Sequence, residues 1–205
     1  MDLKQAIEKR TSVRNFTNDC IPIDDLKELV RRAGLAPSVN NYQPWLFYVI
    51  TNKKVLSNMA FKVANKINQL PANKSIASDN VKAQVEWFAT FFENAPAVIA
   101  IAIENYESVL EKGVDLSHTE INRIRNYPDI QSVGASIQNI LLSAVDMGYG
   151  ACWLSAPMVA KTELEKILEI KPSHNLIAFV AVGKSKSDTN TKSRKSLNEI
   201  FKLID

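Results

Sequence analysis

The sequence predicts one α+β domain, and three observations predict it. Ala97 to Ile103 and Leu176 to Val182 are short, almost wholly apolar runs rich in β-branched residues, the signature of internal strands. Around them lie segments whose apolar residues recur every three to four positions, the period of helices that pack by one face. There is no repeat, low-complexity stretch or evident linker, so residues 1–205 are read as one unit, long enough for a substantial core.

Taken in order, Asp2 is placed to cap a first helix with Leu3, Ala6 and Ile7 on one face and Gln5 at the capping-box spacing, ending near Lys9 or Arg10. Asp24 is the expected cap of a second helix, striped by Leu26, Leu29, Val30 and Ala33 and stopped by Gly34. Residues 36–44 combine prolines, serine and tandem asparagines and read as a loop feeding a strand from Trp45 to Ile50. A helix is predicted from Lys54 to Leu70 on the alignment of Leu56, Met59, Val63 and Ile67, then a surface excursion over 71–79. Val81, Val85, Phe88 and Phe92 carry the period of a long buried helix. After the strand at 97–103, residues 105–130 are polar and irregular and are read as a lid or insertion. Val133 to Met147 is helical and broken by Gly148 and Gly150, Ala151 to Leu154 is a strand, and Thr162 caps a helix through Leu164, Ile167 and Leu168. Residues 184–205 are read as a C-terminal tail, expected to contact a cofactor or a partner subunit.

Bulk properties narrow the function. Hydrophobic residues are 46% and charged residues 23% of the chain, ordinary globular usage, and a net charge of +3 gives no argument for nucleic acid. The two cysteines, Cys20 and Cys152, stand outside any CxxC pattern, which fits a reducing cytoplasmic compartment. No signal-peptide pattern and no apolar run near the roughly 20 residues of a membrane span occur, so a soluble protein is expected. No metal site is predicted, and the isolated His118 and His174 are read as surface residues. GxGxxG is missing, so a nicotinamide cofactor would not be held in a dinucleotide fold.

Four segments suit chemistry better than scaffold. Arg10-Thr11-Ser12-Val13-Arg14 places two guanidinium groups around two hydroxyls, a set able to cradle a phosphate; alone it is also consistent with two exposed arginines. Pro37-Ser38-Val39-Asn40-Asn41-Tyr42-Gln43-Pro44-Trp45 offers amides that both donate and accept, matching a uracil-like edge. Ser132-Val133-Gly134-Ala135-Ser136-Ile137-Gln138-Asn139 is a small-residue helix that leads through Gly148-Tyr149-Gly150-Ala151-Cys152-Trp153 into a strand. Lys192-Ser193-Arg194 acquires meaning only if the tail returns to the first segment.

In this order and register the four segments resemble the nitroreductase family of flavoenzymes, over essentially the whole chain. The resemblance implies a three-layer α/β/α sandwich around a mixed, mainly antiparallel sheet, in an intertwined homodimer with both sites at the interface. It implies bound FMN, with NADH or NADPH as a transient electron-donating substrate. Arg10, Thr11, Ser12, Arg14, Lys192 and Arg194 would hold the phosphate and the pyrimidine side of the ring. Pro37, Ser38, Val39, Asn41 and Gln43 would reach the flavin from the other subunit. Trp153, Leu154 and Ser155 would lie along the ring or near N5, and Gly183 at the turn before the tail. Asn68 and Lys74 stand in a stretch that does not clearly reproduce the family's ring contacts, and position 155 is Ser where some members carry an acidic residue.

The implied activity is a ping-pong transfer of hydride from NAD(P)H through the flavin to a nitroaromatic or quinone-like acceptor, the chemistry belonging to the cofactor. Two alternatives stand beside it: an FMN protein of the same scaffold with a specialised dehydrogenase or flavin-sequestering role, and a colourless helical module binding nucleic acid.

Overall fold

The computed structural model describes residues 1–71, 76–104, 106, 108–187 and 192–204, with the backbone alone for 76–79. Lys74, with residues 72–75 of the excursion expected at 71–79, lies outside the described residues, and 76–79 already belong to a helix. Eight helices among the described residues, α1 Leu3–Lys9, α2 Ile23–Ala33, α3 Lys53–Gln69, α4 Ile76–Thr90, α5 His118–Ile124, α6 Pro128–Asp146, α7 Lys161–Ile167 and α8 Leu197–Ile200, surround four strands. The strands are β1 Trp45–Ile50, β2 Ala97–Glu104, β3 Gly150–Leu154 and β4 His174–Gly183, in sheet order β1-β2-β4-β3.

All three ladders are antiparallel, and an isolated parallel bridge between Ser12 and Ala151 supplies the mixed element. Alternation along β2 sends Val98 and Ala100 to one core and Ile99 and Ile101 to the other. A bulge skips Ile177 between the pairs Ile101–Ala178 and Ala102–Leu176, and Leu176 thereby joins the opposite face from Ala178. One face is covered by α3 through Leu56, Met59 and Val63; the other by α2 and α6 through Leu29, Val133 and Ile137. The result is the expected α/β/α sandwich.

Local chemistry explains most boundaries. The Asp2 carboxylate accepts from Gln5 N at 2.8 Å, and Asn52 Oδ1 accepts from Lys54 N at 2.9 Å, opening α1 and α3. Helix α2 begins two residues earlier than the Asp24 cap implied, with Pro22 at the cap; Asp24 and Asp25 instead favour the positive end of the helix dipole. Thr162 likewise sits inside α7, whose cap is Ala160. Helix α6 starts at Pro128, five residues before the apolar period becomes visible, because proline fits the first turn where no N–H partner is needed.

Two expectations are corrected. The stripe on α4 is not buried: Phe92, in a 3-10 turn past the helix, is fully enclosed, whereas Val81, Val85 and Phe88 are exposed. The histidines are not plain surface residues. His118 lies between Glu111 Oε1 at 2.9 Å and the side-chain amide of Asn122 at 2.8 Å, and His174 Nδ1 is buried without a hydrogen-bond partner. No helix among the described residues is long and apolar enough to cross a membrane.

Candidate active site

The segment after α1 is pinned to the sheet by backbone bonds. Val13 N donates to Ala151 O at 3.0 Å, next to the Ser12–Ala151 bridge, which lays residues 12–14 beside β3. Farther on, Thr17 N donates to Lys184 O at 2.9 Å and Lys186 N to Asn15 O at 3.1 Å. The strip that carries Arg10 and Arg14 therefore also guides the chain leaving β4, and the tail comes back to it.

A cleft of ≈ 380 Å³ results, lined by Ile7, Glu8, Arg10, Thr11, Gln138, Lys192 and Arg194. Three cations more than 180 positions apart at the extremes thus face one space, with one carboxylate, Glu8, among them. Close by, burial pushes the Cys152 thiol up, while the charges of Arg14, Arg10 and Lys192 and a hydrogen bond from Ser12 pull it back. Ser12 and Arg14 therefore share the positive region around the cleft without lining it. The Arg14 guanidinium lies 5.5 Å from the centre of the Phe88 ring.

Helix α6 organises the rest. Gln138 reaches the cleft, and one turn earlier Gly134 leaves room for Trp153, whose ring would lie 3.7 Å from a Cβ built there. Trp153 itself is half exposed, whereas Leu154 is buried and can meet a ligand only through its backbone; Ser155 is exposed. Gly183 ends strand β4 opposite Gly150, not in a turn, and is buried with Pro96 and Phe16 against it, a packing reason for glycine there.

The 37–43 loop is not brought to this cleft within one chain. Pro37, Ser38 and Val39 border a separate hollow with Pro128, Gln131, Ser132 and Ala135, and Val39 N donates to Ser132 Oγ at 3.1 Å. The Ser38 hydroxyl accepts from Gln43 N at 2.9 Å. Asn40, Asn41 and Gln43 all adopt positive φ, near 50°, 54° and 54°, so the loop is held in a left-handed conformation that favours asparagine. Asn41 and Gln43 are exposed, and Asn68 donates to Glu86 on α4 at 3.3 Å. Gln138 and Glu8 were not among the residues expected at the site. The i, i+4 spacing of Gly134 and Gln138 is the signal that places both on one face.

An antiparallel sheet sandwiched by helices, with a cationic cleft where the first helix, the long central helix and the tail meet, defines an α+β domain whose cleft has the charge to accept an anion. The chain belongs to the nitroreductase family, whose sequence model matches residues 7–184. It is similar to a Caenorhabditis elegans protein named iodotyrosine dehalogenase 1 homolog, at 26% identity over 212 residues, covering 97% of the chain and 60% of that relative. The chain thus spans little more than half the length of that protein. Protein DrgA of Synechocystis is 28% identical, with 96% of the chain and 90% of the relative covered. Among solved structures, a Clostridium difficile flavoprotein described as BluB-like matches with a TM-score of 0.87 and 28% identity, covering 100% of both chains. A Desulfitobacterium hafniense nitroreductase with bound FMN shares the fold, with a TM-score of 0.75 at 17% identity, over 98% of this chain and 97% of that one.

Proposed function

We propose that the cleft binds the phosphate of FMN and that the protein is a flavin-dependent oxidoreductase. One observation carries the reading: Arg10, Lys192 and Arg194 converge with the Thr11 hydroxyl and the Gln138 amide on one space. The donor set fits a phosphate dianion, for which charge-assisted bonds from guanidinium groups are the strong partners. Glu8 offsets part of the positive charge but leaves a cationic surplus.

Bound there, FMN would supply two-electron hydride chemistry between NAD(P)H and an oxidised aromatic such as a quinone or nitroaromatic. The chain's residues do the placing. Arg14, beside the cleft, favours added negative charge at the pyrimidine edge of a ring, and Trp153, seated on Gly134, offers a flat wall. Both nicotinamide and acceptor would act from the same exposed side in turn.

The protein acts, in this reading, as a homodimer. The loop carrying Pro37, Ser38 and Asn41 sits away from the chain's own cleft, as it must if it serves a second copy's cofactor. The tail also exposes Leu197, Ile200, Phe201, Leu203 and Ile204, while β1 is a sheet edge flanked by an apolar groove of ≈ 440 Å³ between it and α2. An arm exchanged between copies would cover both.

A second reading is favoured by the full-length likeness to the BluB-like flavoprotein and by the relatives named for iodotyrosine dehalogenation: a specialised member in which the acceptor is not a quinone or nitro compound. Purified protein that shows flavin absorbance and consumes NADH or NADPH with menadione supports the first reading. Yellow protein inert to menadione but releasing iodide from iodotyrosine under a reductant supports the second. A colourless protein that takes up no FMN overturns both.

A further inference from the structure

Helix α4 carries an apolar stripe that the described residues leave exposed. Val81, Val85 and Phe88, at i, i+4 and i+7, are 57%, 43% and 39% exposed, and the adjacent Trp87 is 53% exposed. A stripe with this period ordinarily packs downward, so a face presented outward is open to another partner. Its C-terminal end is built, not loose. The Trp87 ring meets that of Phe88 edge-on, at 4.8 Å and 79°, and lies 5.8 Å from Phe91, which is buried. Indole and phenyl thus form a right-angled aromatic corner open to solvent.

The corner adjoins Arg14, which lies beside the cleft without lining it. Arg14 sits over Phe88 at 5.5 Å, and its charge acts on Cys152 together with those of Arg10 and Lys192. Aromatic faces and a fixed cation that neighbours the cationic cleft therefore coincide at one point.

We propose that Trp87 and Phe88 are specificity-determining residues: a stacking platform for a planar aromatic acceptor whose carbonyl or nitro oxygens face Arg14. This rests on the flavin reading above. An electron-poor ring gains by offset stacking on indole, and the guanidinium complements partial negative charge on its oxygens. A second protein copy would use the apolar stripe but has no need of the cation at its end.

The test is titration of flavin-loaded protein with menadione in the absence of any reductant, followed by calorimetry. Trp87→Ala is expected to raise the menadione dissociation constant about three- to tenfold, as loss of an aromatic pair implies. Trp87→Phe, which keeps a ring, is expected to restore most of it. In turnover, kcat/KM for menadione should fall relative to that for ferricyanide, an outer-sphere acceptor that takes the same electrons one at a time. Unchanged menadione affinity in Trp87→Ala with flavin still bound overturns the platform and spares the cofactor reading. Conversion of Trp87→Ala to a smaller oligomer on gel filtration, with unchanged menadione affinity, would assign the face to a second copy instead. Failure of the wild-type protein to hold flavin overturns both.

Discussion

The rings of Tyr42 and Tyr106 lie 5.3 Å apart at 49°, and this contact ties the left-handed 37–43 loop to the segment that follows β2. Tyr106 is nearly fully buried, and its phenol oxygen accepts from Arg125 Nη1 at 2.9 Å; the same nitrogen donates to Ser108 Oγ at 2.9 Å. Tyr106→Phe removes one charge-assisted bond and is expected to cost about 1.5 kcal/mol. Tyr106→Ala also opens a cavity and should cost about 3–5 kcal/mol. Urea midpoints of the two variants check the order.

The cleft's charge balance makes opposite predictions for neighbouring residues. Arg10→Ala and Arg194→Ala should each weaken FMN binding by about 1.5–3 kcal/mol, on the order of 10- to 150-fold, as loss of a charge-assisted phosphate bond requires. Glu8→Gln removes the opposing charge and should tighten binding severalfold, most clearly at low ionic strength. Flavin fluorescence titrations at two salt concentrations read both, and equal affinities in all three variants would separate the cleft from the cofactor.

Gly150 is where the 12–14 segment meets β3. A Cβ at that position would lie 2.5 Å from Val13 Cγ2 and 2.7 Å from Val13 Cβ. Gly150→Ala is expected to destabilise by about 1–3 kcal/mol through overpacking and to loosen FMN binding by shifting Ser12 and Arg14. Adding Val13→Ala should recover part of the loss, since the γ methyl groups go and the β carbon stays. Thermal melts of the single and double variants decide it.

The two thiols should behave differently. Cys20 is exposed, whereas Cys152 is buried and its thiol is pushed up by desolvation. Native protein at pH 8 should react with one equivalent of a thiol reagent, and unfolded protein with two. Prompt labelling of both in the native state would contradict the burial of Cys152.

Tyr149 donates to Asp25 Oδ2 at 2.5 Å, joining the turn before β3 to α2. That hydrogen bond, then burial and the Asp25 charge, push the phenol from 10.0 up to about 12. The folded state holds this proton more tightly than the unfolded chain. Its stabilisation is therefore complete below pH 10 and drains away as the pH rises toward 12. An ultraviolet titration should show one late-ionising tyrosine, lost in Tyr149→Phe, and the variant's stability should change less than wild type between those values.

The sequence by itself determined the strands and most helices, because their signals are local. Alternation or apolar runs mark Trp45–Ile50 and Ala97–Glu104, and the 3.6-residue period placed the buried side chains of α3 correctly. It also supplied the residue types of a phosphate cradle and, through their order, the family. Only the tertiary structure decided what faces what. Periodicity shows that Val81, Val85 and Phe88 share a side of α4 but is silent on whether the chain itself covers that side, and among the described residues all three are exposed. Lys192 and Arg194 look like a solvated tail until backbone bonds between 15–17 and 184–186 steer them to Arg10. Gln138 enters the cleft only because α6 packs at a particular rotation against the sheet. Charge convergence and burial depend on contacts between distant segments, which packing fixes and local residue preference does not.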